Sequence, residues 1–210
     1  MRAEEIMKLS PIVPVIALES EEDALPLANA LLEGGINIME ITLRTQAGLK
    51  AIEIISKHLP QMHVGAGTVL NGDDFKSAVE HGAAFIFSPG ISEDLLQTSK
   101  QTGIALIPGV ATASEVMLAK NHGFDHCKLF PATLAGGVEM LKALSGPFPT
   151  MRFCPTGGVN LNNLNEFLTL EYVLCVGGIW IVPKALIKEK DFKQITKLCV
   201  EAKDSIKGKK

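Results

Sequence analysis

A lysine inside an apolar run is the feature of this chain that most calls for a chemical explanation. The run reads His126-Cys127-Lys128-Leu129-Phe130-Pro131, and lysine is rarely buried unless it is paired or functional. Burial and nearby cationic charge disfavour the ammonium form, and the resulting free amine attacks a ketone. The alternative is a rim lysine whose stem follows the sheet while its head stays in water. A second run, Ile38-Met39-Glu40-Ile41-Thr42-Leu43-Arg44, carries three polar residues at alternate positions. In a strand, period two sends Glu40, Thr42 and Arg44 to one face and Met39, Ile41 and Leu43 to the other. A carboxylate so directed works as a general acid–base, and an arginine beside it holds a substrate carboxylate bidentately. The alternative here is a Glu40–Arg44 ion pair with no chemistry.

Glycine-rich turns supply further groups. Val64-Gly65-Ala66-Gly67-Thr68, Ser88-Pro89-Gly90 and Pro108-Gly109-Val110 each read as tight strand-to-helix turns. Together they would line a mouth with small residues and offer Thr68 as a hydrogen-bonding group. Thr156-Gly157-Gly158 and Gly177-Gly178 are two such turns near the end of the chain. Backbone amides at turns of this kind, ahead of helix starts, form an anion site.

The elements that must position these groups alternate regularly. Candidate strands are Ile12–Ala17, Ile36–Ile41, His63–Gly67, Ala84–Phe87, Ile104–Ile107, His126–Leu129, Met151–Phe153 and Val173–Val176. A short N-terminal helix precedes them. Helical patterns lie between or after them at Glu21–Glu33, Ala47–His58, Asp73–His81, Ser92–Gln101, Ala113–Asn121, Gly137–Ala143, Leu161–Leu168 and Phe192–Ser205. Ser20, Asn71 and Ser92 stand where N-caps belong, and Gly34-Gly35, Gly82, Gly103 and Gly123 where helices should end. Eight strand–helix units without a linker predict an α/β fold, a (β/α)8 TIM barrel with a short N-terminal helix, as one domain over residues 1–210. An open doubly wound sheet is the alternative, and the first turn lacks the GxGxxG of a dinucleotide site. Barrel enzymes place their chemistry at the C-terminal strand ends, with phosphate commonly at the last two turns. Lys128 on the sixth strand and Glu40 on the second then face each other across the mouth.

Composition narrows the partners. A net charge of −3 gives no reason to expect nucleic acid or an anionic membrane surface. The longest uncharged apolar-rich run, Tyr172 to Pro183, contains two glycines and is too short to span a bilayer. Met1 to Ser10 carries Arg2, Glu4, Glu5 and Lys8 without a signal-peptide apolar region. Cys127, Cys154, Cys175 and Cys199 stand far apart, which suits buried free thiols in a reducing cytoplasm. His122 and His126 straddle Gly123, a helix end, so no metal pair is expected. Lys207, Lys209 and Lys210 read as a solvated tail.

From about Pro11 to Cys199 the chain resembles the family of 2-keto-3-deoxy-6-phosphogluconate aldolases, which often also cleave 4-hydroxy-2-oxoglutarate. The resemblance is carried, in order, by PVIAL, GGINIMEITLRT, VGAGTVLN, FSPGIS, LIPGVAT, CKLFPA, FCPTGGV and VGGIWIVP. It implies that Lys128 forms a Schiff base with the substrate C2 carbonyl while Glu40 shuttles protons, largely through a bound water. Arg44 and Thr68 would hold the pyruvyl carboxylate, and Pro89 and Phe130 would shape the pocket. Thr156 would contact distal hydroxyls and bias stereochemistry, and Gly157, Gly158, Gly177 and Gly178 would hold the 6-phosphate. The resemblance further implies small-molecule keto-acid substrates, no metal or organic cofactor, and a homotrimer. Ile179 stands where relatives usually have a serine that helps to bind phosphate, so weaker phosphate selectivity is expected. A phosphosugar isomerase or epimerase, and a non-catalytic anion-binding barrel, are the rival readings; neither explains Lys128 and Glu40 together.

Overall fold

The computed structural model describes residues 1–206; the lysines at 207, 209 and 210, read above as a solvated tail, lie outside the described residues. The elements run α1 (Ala3–Met7), β1 (Ile12–Ile16), a 3-10 turn (Glu21–Asp23), α2 (Ala24–Glu33), β2 (Ile38–Thr42), α3 (Ala47–His58) and β3 (His63–Gly67). There follow α4 (Gly72–Glu80), β4 (Phe85–Phe87), α5 (Glu93–Thr102), β5 (Ala105–Ile107), β6 (Gly109–Val110), α6 (Ala113–Asn121) and β7 (His126–Leu129). The chain closes with α7 (Gly137–Ser145), β8 (Arg152–Phe153), α8 (Leu164–Leu168), β9 (Val176–Gly178), α9 (Lys184–Lys188) and α10 (Phe192–Asp204). Among the described residues no helix is long and apolar enough to cross a membrane.

The strands form an α/β fold with all named pairings parallel. A six-stranded sheet, ordered β5-β4-β3-β2-β1-β9, curls as a half-barrel beside a three-stranded sheet, β6-β7-β8. This is coarser than the eight-stranded closed barrel the sequence predicted. Two isolated parallel bridges, Phe153 with Val173 and Thr156 with Gly177, join β8 and its following turn to the β9 segment. The predicted fifth strand stops at Pro108, which has no amide to give the ladder, and resumes as β6. Both β1 and β2 are buried along their whole length, as a strand covered on both faces requires.

The predicted caps form. Ser20, Asn71 and Ser92 accept from the amides of Glu22, Asp74 and Leu95, and Gly35, Gly82, Gly103 and Gly123 take positive φ at helix ends. Three predicted boundaries are corrected. The helix predicted over Glu21–Glu33 is a 3-10 turn followed by α2, which carries Pro26 in its first turn, where a missing amide is harmless. The helix predicted from Leu161 starts at Leu164, because Asn160 and Asn163 side chains accept the amides of Asn162 and Asn160 in turns of their own. The last strand is Val176–Gly178 rather than Val173–Val176, for a reason that belongs to the site.

Candidate active site

Glu40 sits mid-strand in β2 and Lys128 in β7, and the fold brings them together across 88 residues of sequence. The Lys128 ammonium nitrogen donates to both carboxylate oxygens, at 3.0 and 3.2 Å. The side chains are 5% and 2% exposed, so Lys128 is no rim lysine. Stripping water from two opposite charges costs roughly several kcal/mol per ion, and apolar replacements are often as stable. The pair is therefore poorly explained as a stabilising device and well explained as a reactive one.

Its surroundings are shaped around it. In the β2–β3 register Glu40 lies opposite Gly65 and Thr42 opposite Gly67. A Cβ on Gly67 would collide with the Glu40 carboxylate, and one on Gly65 with the Phe85 ring. Both glycines are there for close approach, leaving room for the carboxylate above and the ring below. Lys128 pairs with Gly109, whose missing Cβ lets the Pro89 backbone lie against it. The Lys128 nitrogen sits 5.2 Å from the centroid of the Phe87 ring and 5.5 Å from that of Phe130.

Arg44 does not pair with Glu40. Its Nε donates to Thr68 Oγ1 at 3.0 Å, joining the turns after β2 and β3 at the open side of the pair. Thr68 holds φ +58°, a left-handed conformation that a β-branched residue rarely adopts and that concentrates at functional sites. Thr42, buried on the Glu40 face, donates to the Ile16 carbonyl at 2.9 Å and ties β2 to β1. At the base of β7, burial lowers the pKa of His126 below its ordinary value and raises that of the Cys127 thiol well above it. All four cysteines are buried.

Two residues here escaped the sequence reading. Phe87 looked like ordinary core, although its place as the last residue of β4 put it at the chemical end of a strand. Ser88 donates to the Gly90 carbonyl at 2.6 Å and accepts from the Gly109 amide at 3.4 Å, holding the turns beside Lys128 in register. A buried serine in a turn gives no signal for that.

Comparison with known proteins agrees with this geometry. The family model described as KDPG and KHG aldolase matches residues 3–198. The chain belongs to that family. The 2-dehydro-3-deoxy-phosphogluconate aldolase of Pseudomonas aeruginosa is 48% identical, over 96% of this chain and 91% of that one. The KHG/KDPG aldolase of Escherichia coli is 45% identical, over 98% of this chain and 96% of that one. A crystal structure of KDPG aldolase from Legionella pneumophila, with pyruvate captured as a covalent carbinolamine intermediate, is 46% identical with a TM-score of 0.95, covering 96% of this chain and 98% of that one. The enzymes of this aldolase family are carbon–carbon lyases.

In this member, a cavity of about 520 Å³ opens from Thr42 and Arg44 toward Gly158, Asn160, Ile179, Trp180 and Lys184. Gly157 and Gly158 both have positive φ, 98° and 82°. Among the described residues neither amide donates a hydrogen bond, while Asn160 and Asn163 side chains fix the Gly158 carbonyl at 3.2 and 3.0 Å. These two amides suit an anion. The expectation for Gly177 is corrected: its amide donates to the Pro155 carbonyl at 2.9 Å and is spent on the sheet. Gly177 and Gly178 lie inside β9, where a Cβ would meet the Thr156 side chain and the Trp180 ring respectively. Close approach explains both glycines, and the parallel ladder to β1, from Ile12–Val176 to Pro14–Gly178, carries the strand to Gly178. Ile179 is 66% exposed beside them, and the Trp180 indole N–H is buried without a partner among the described residues.

Proposed function

We propose that this chain is a class I aldolase that cleaves 2-keto-3-deoxy-6-phosphogluconate to pyruvate and glyceraldehyde 3-phosphate through a Schiff base on Lys128. It also cleaves 4-hydroxy-2-oxoglutarate to pyruvate and glyoxylate. The observation that carries this reading is the buried Lys128 amine held against both oxygens of Glu40, in a chain 46% identical to an aldolase caught with covalent pyruvate.

The chemistry follows from the groups present. Lys128 transfers a proton to its partner and attacks C2 with its lone pair. Glu40 protonates the departing hydroxyl of the carbinolamine, water leaves, and an iminium forms. The C3–C4 pair then moves into a C2–C3 double bond while the iminium π electrons return to nitrogen. Glu40 takes the C4 hydroxyl proton, directly or through water, and the aldehyde departs. Protonation of the enamine at C3 and hydrolysis release pyruvate. The imine is the electron sink, so the reaction requires no metal or organic cofactor. In this scheme Arg44 and Thr68 hold the pyruvyl carboxylate, Pro89 and Phe130 shape its pocket, and Thr156 meets the distal hydroxyls. Gly157 and Gly158 hold the phosphate by their amides, with Gly177 and Gly178 giving the close approach that forms that end.

The working unit proposed is one domain over residues 1–210, its eight strand segments closed into a barrel. The Phe153–Val173 and Thr156–Gly177 bridges support the closure. It acts in the cytoplasm as a homotrimer, a reading supported by the family resemblance and, for the compartment, by the buried free thiols of Cys127, Cys154 and Cys199. The isomerase and binding-barrel readings leave the buried amine without a task.

Purified protein given each substrate is expected to release pyruvate, with the matching aldehyde in equal amount. No pyruvate from either substrate would overturn the proposal. A comparison of kcat/KM with the unphosphorylated sugar acid measures how much the distal amides contribute.

A further inference from the structure

We propose that Lys184 is a specificity-determining residue of this site, its ammonium group meeting the distal phosphate of the six-carbon substrate and setting the preference for it. This role rests on the aldolase reading above and adds to it a full positive charge that the glycine amides lack.

Among the described residues, two charged side chains line the cavity of about 520 Å³, Arg44 and Lys184, and both are cations. Arg44 follows β2 and Lys184 follows β9, and in the sheet order β2-β1-β9 the end of β1 lies between them. A cavity with separated positive groups and no carboxylate in its lining suits a substrate that is anionic at both ends. With Arg44 given to the pyruvyl carboxylate, Lys184 is the cation left for the second anion.

The fold pins the backbone of Lys184 and leaves its side chain free. After Gly178 the Val182 amide donates to the Ile179 carbonyl at 3.2 Å, turning the segment back. Val182 before Lys184 and Ile187 after it are buried in the core, while the Lys184 side chain is 75% exposed. Its ion-pair partner, Glu19, is also exposed and stands 3.9 Å away, too far for a hydrogen bond. Such a pair contributes little and is screened by salt, so a phosphate dianion competes with it easily. The other polar groups at this end are committed or weak. The Asn160 side-chain amide is spent on the Gly158 carbonyl, the Trp180 indole N–H is enclosed by protein, and Ile179 offers no donor. The Gly157 and Gly158 amides fix direction, and the ammonium group supplies the point charge with which lysine binds phosphate.

The two aldol substrates differ in what they offer to this group. In 4-hydroxy-2-oxoglutarate the second carboxylate is bonded to the carbon that carries the hydroxyl. In the phosphorylated sugar acid the phosphate lies farther out, beyond further carbons and an ester oxygen. Lys184 therefore acts on the longer substrate. Its contact is remote from the bond that breaks and is the same before and during cleavage, so it enters through KM rather than kcat.

Pyruvate release is measured for the phosphorylated sugar acid, its unphosphorylated analogue and 4-hydroxy-2-oxoglutarate. Lys184→Met removes the charge and keeps the stem, and Lys184→Arg keeps the charge. Lys188→Met removes a lysine from the same helix, α9, but Lys188 lines the neighbouring cavity beside Glu19 and not this one. In Lys184→Met the kcat/KM for the phosphorylated substrate, relative to each of the other two, is expected to fall roughly tenfold, through KM. Lys184→Arg and Lys188→Met should keep the wild-type ratio. An unchanged ratio in Lys184→Met, an equal fall in Lys188→Met, or an arginine variant as poor as the methionine one overturns the role of Lys184. Wild type that releases pyruvate without preferring the phosphorylated sugar acid to its analogue also overturns it, and leaves the aldolase reading standing. No pyruvate from any substrate overturns both. If Lys184→Met fails to fold, Lys184→Gln is read by the same ratio.

Discussion

At one end of the site Lys128, Glu40 and Phe87 are almost wholly buried, with the amine held by two carboxylate oxygens and faced by a fixed ring. At the other end the groups on offer are backbone amides of Gly157 and Gly158, a partly open cavity, and Ile179 at 66% exposure. The first end is made of side chains from strands packed on every side, so small displacements are expensive there. The second is made of turns, where one side chain can change without disturbing a neighbour. On the proposed mechanism, bond cleavage falls to the tightly packed end and the choice of distal group to the residues in turns.

That contrast can be attacked from the chemical end first. Glu40→Gln keeps the shape of the side chain but removes the proton acceptor. Turnover should fall by roughly a thousandfold while some pyruvate trapping persists, as steady-state and trapping assays would show together. Wild-type turnover would remove Glu40 from the mechanism. Next, Gly67→Ala adds a single methyl against the Glu40 carboxylate. Misplacing a catalytic group by about an ångström costs on the order of a hundredfold, so kcat should drop by that order with KM little changed. A kcat within twofold of wild type would show that the carboxylate has more room than the close packing implies.

At the distal end the effects should be smaller and should appear in specificity. Ile179→Ser adds one hydroxyl beside the Gly157–Gly158 turn. It is expected to raise the preference for the phosphorylated sugar acid over its unphosphorylated analogue by roughly tenfold in kcat/KM, leaving kcat for 4-hydroxy-2-oxoglutarate unchanged. An equal change for every substrate would mean that the two ends are not separable. The smallest effect lies beneath both, at His126. Burial lowers its pKa from 6.5, so the folded chain binds fewer protons there than the unfolded one. The contribution to stability is complete above pH 6.5 and declines as pH falls below it. Glu4, Asp125, Arg152 and Lys8 share that surface, and the urea midpoint of His126→Gln should accordingly depend less on pH between 5 and about 6.5 than that of wild type.

What could be read from the sequence follows the same division. Lys128 and Glu40 were legible because a charge inside an apolar strand has few explanations, and alternation told which way Glu40 pointed. Their mutual contact was not, since a single run cannot say which of Arg44 or Lys128 the carboxylate meets; the fold gave it Lys128 and sent Arg44 to Thr68. Gly177 and Gly178 misled in the other direction. A glycine pair reads as a turn, whereas here both residues pair with β1 in a strand and lack side chains because Thr156 and Trp180 occupy the space beside them. Phe87 was hidden by its own normality, an aromatic in a strand being core in nearly every protein. The short helix α9 has five residues, too few for any period to show.

The central claim is that Lys128 is the amine that bonds to substrate. It is tested most directly by incubating the protein with pyruvate and borohydride and mapping the reduced adduct by peptide mass spectrometry, beside Lys128→Met as a variant of similar length without the amine. A single adduct on the peptide holding Lys128, absent from the variant, is the predicted result. An adduct on another lysine, or one that persists at wild-type extent in Lys128→Met, would contradict the account.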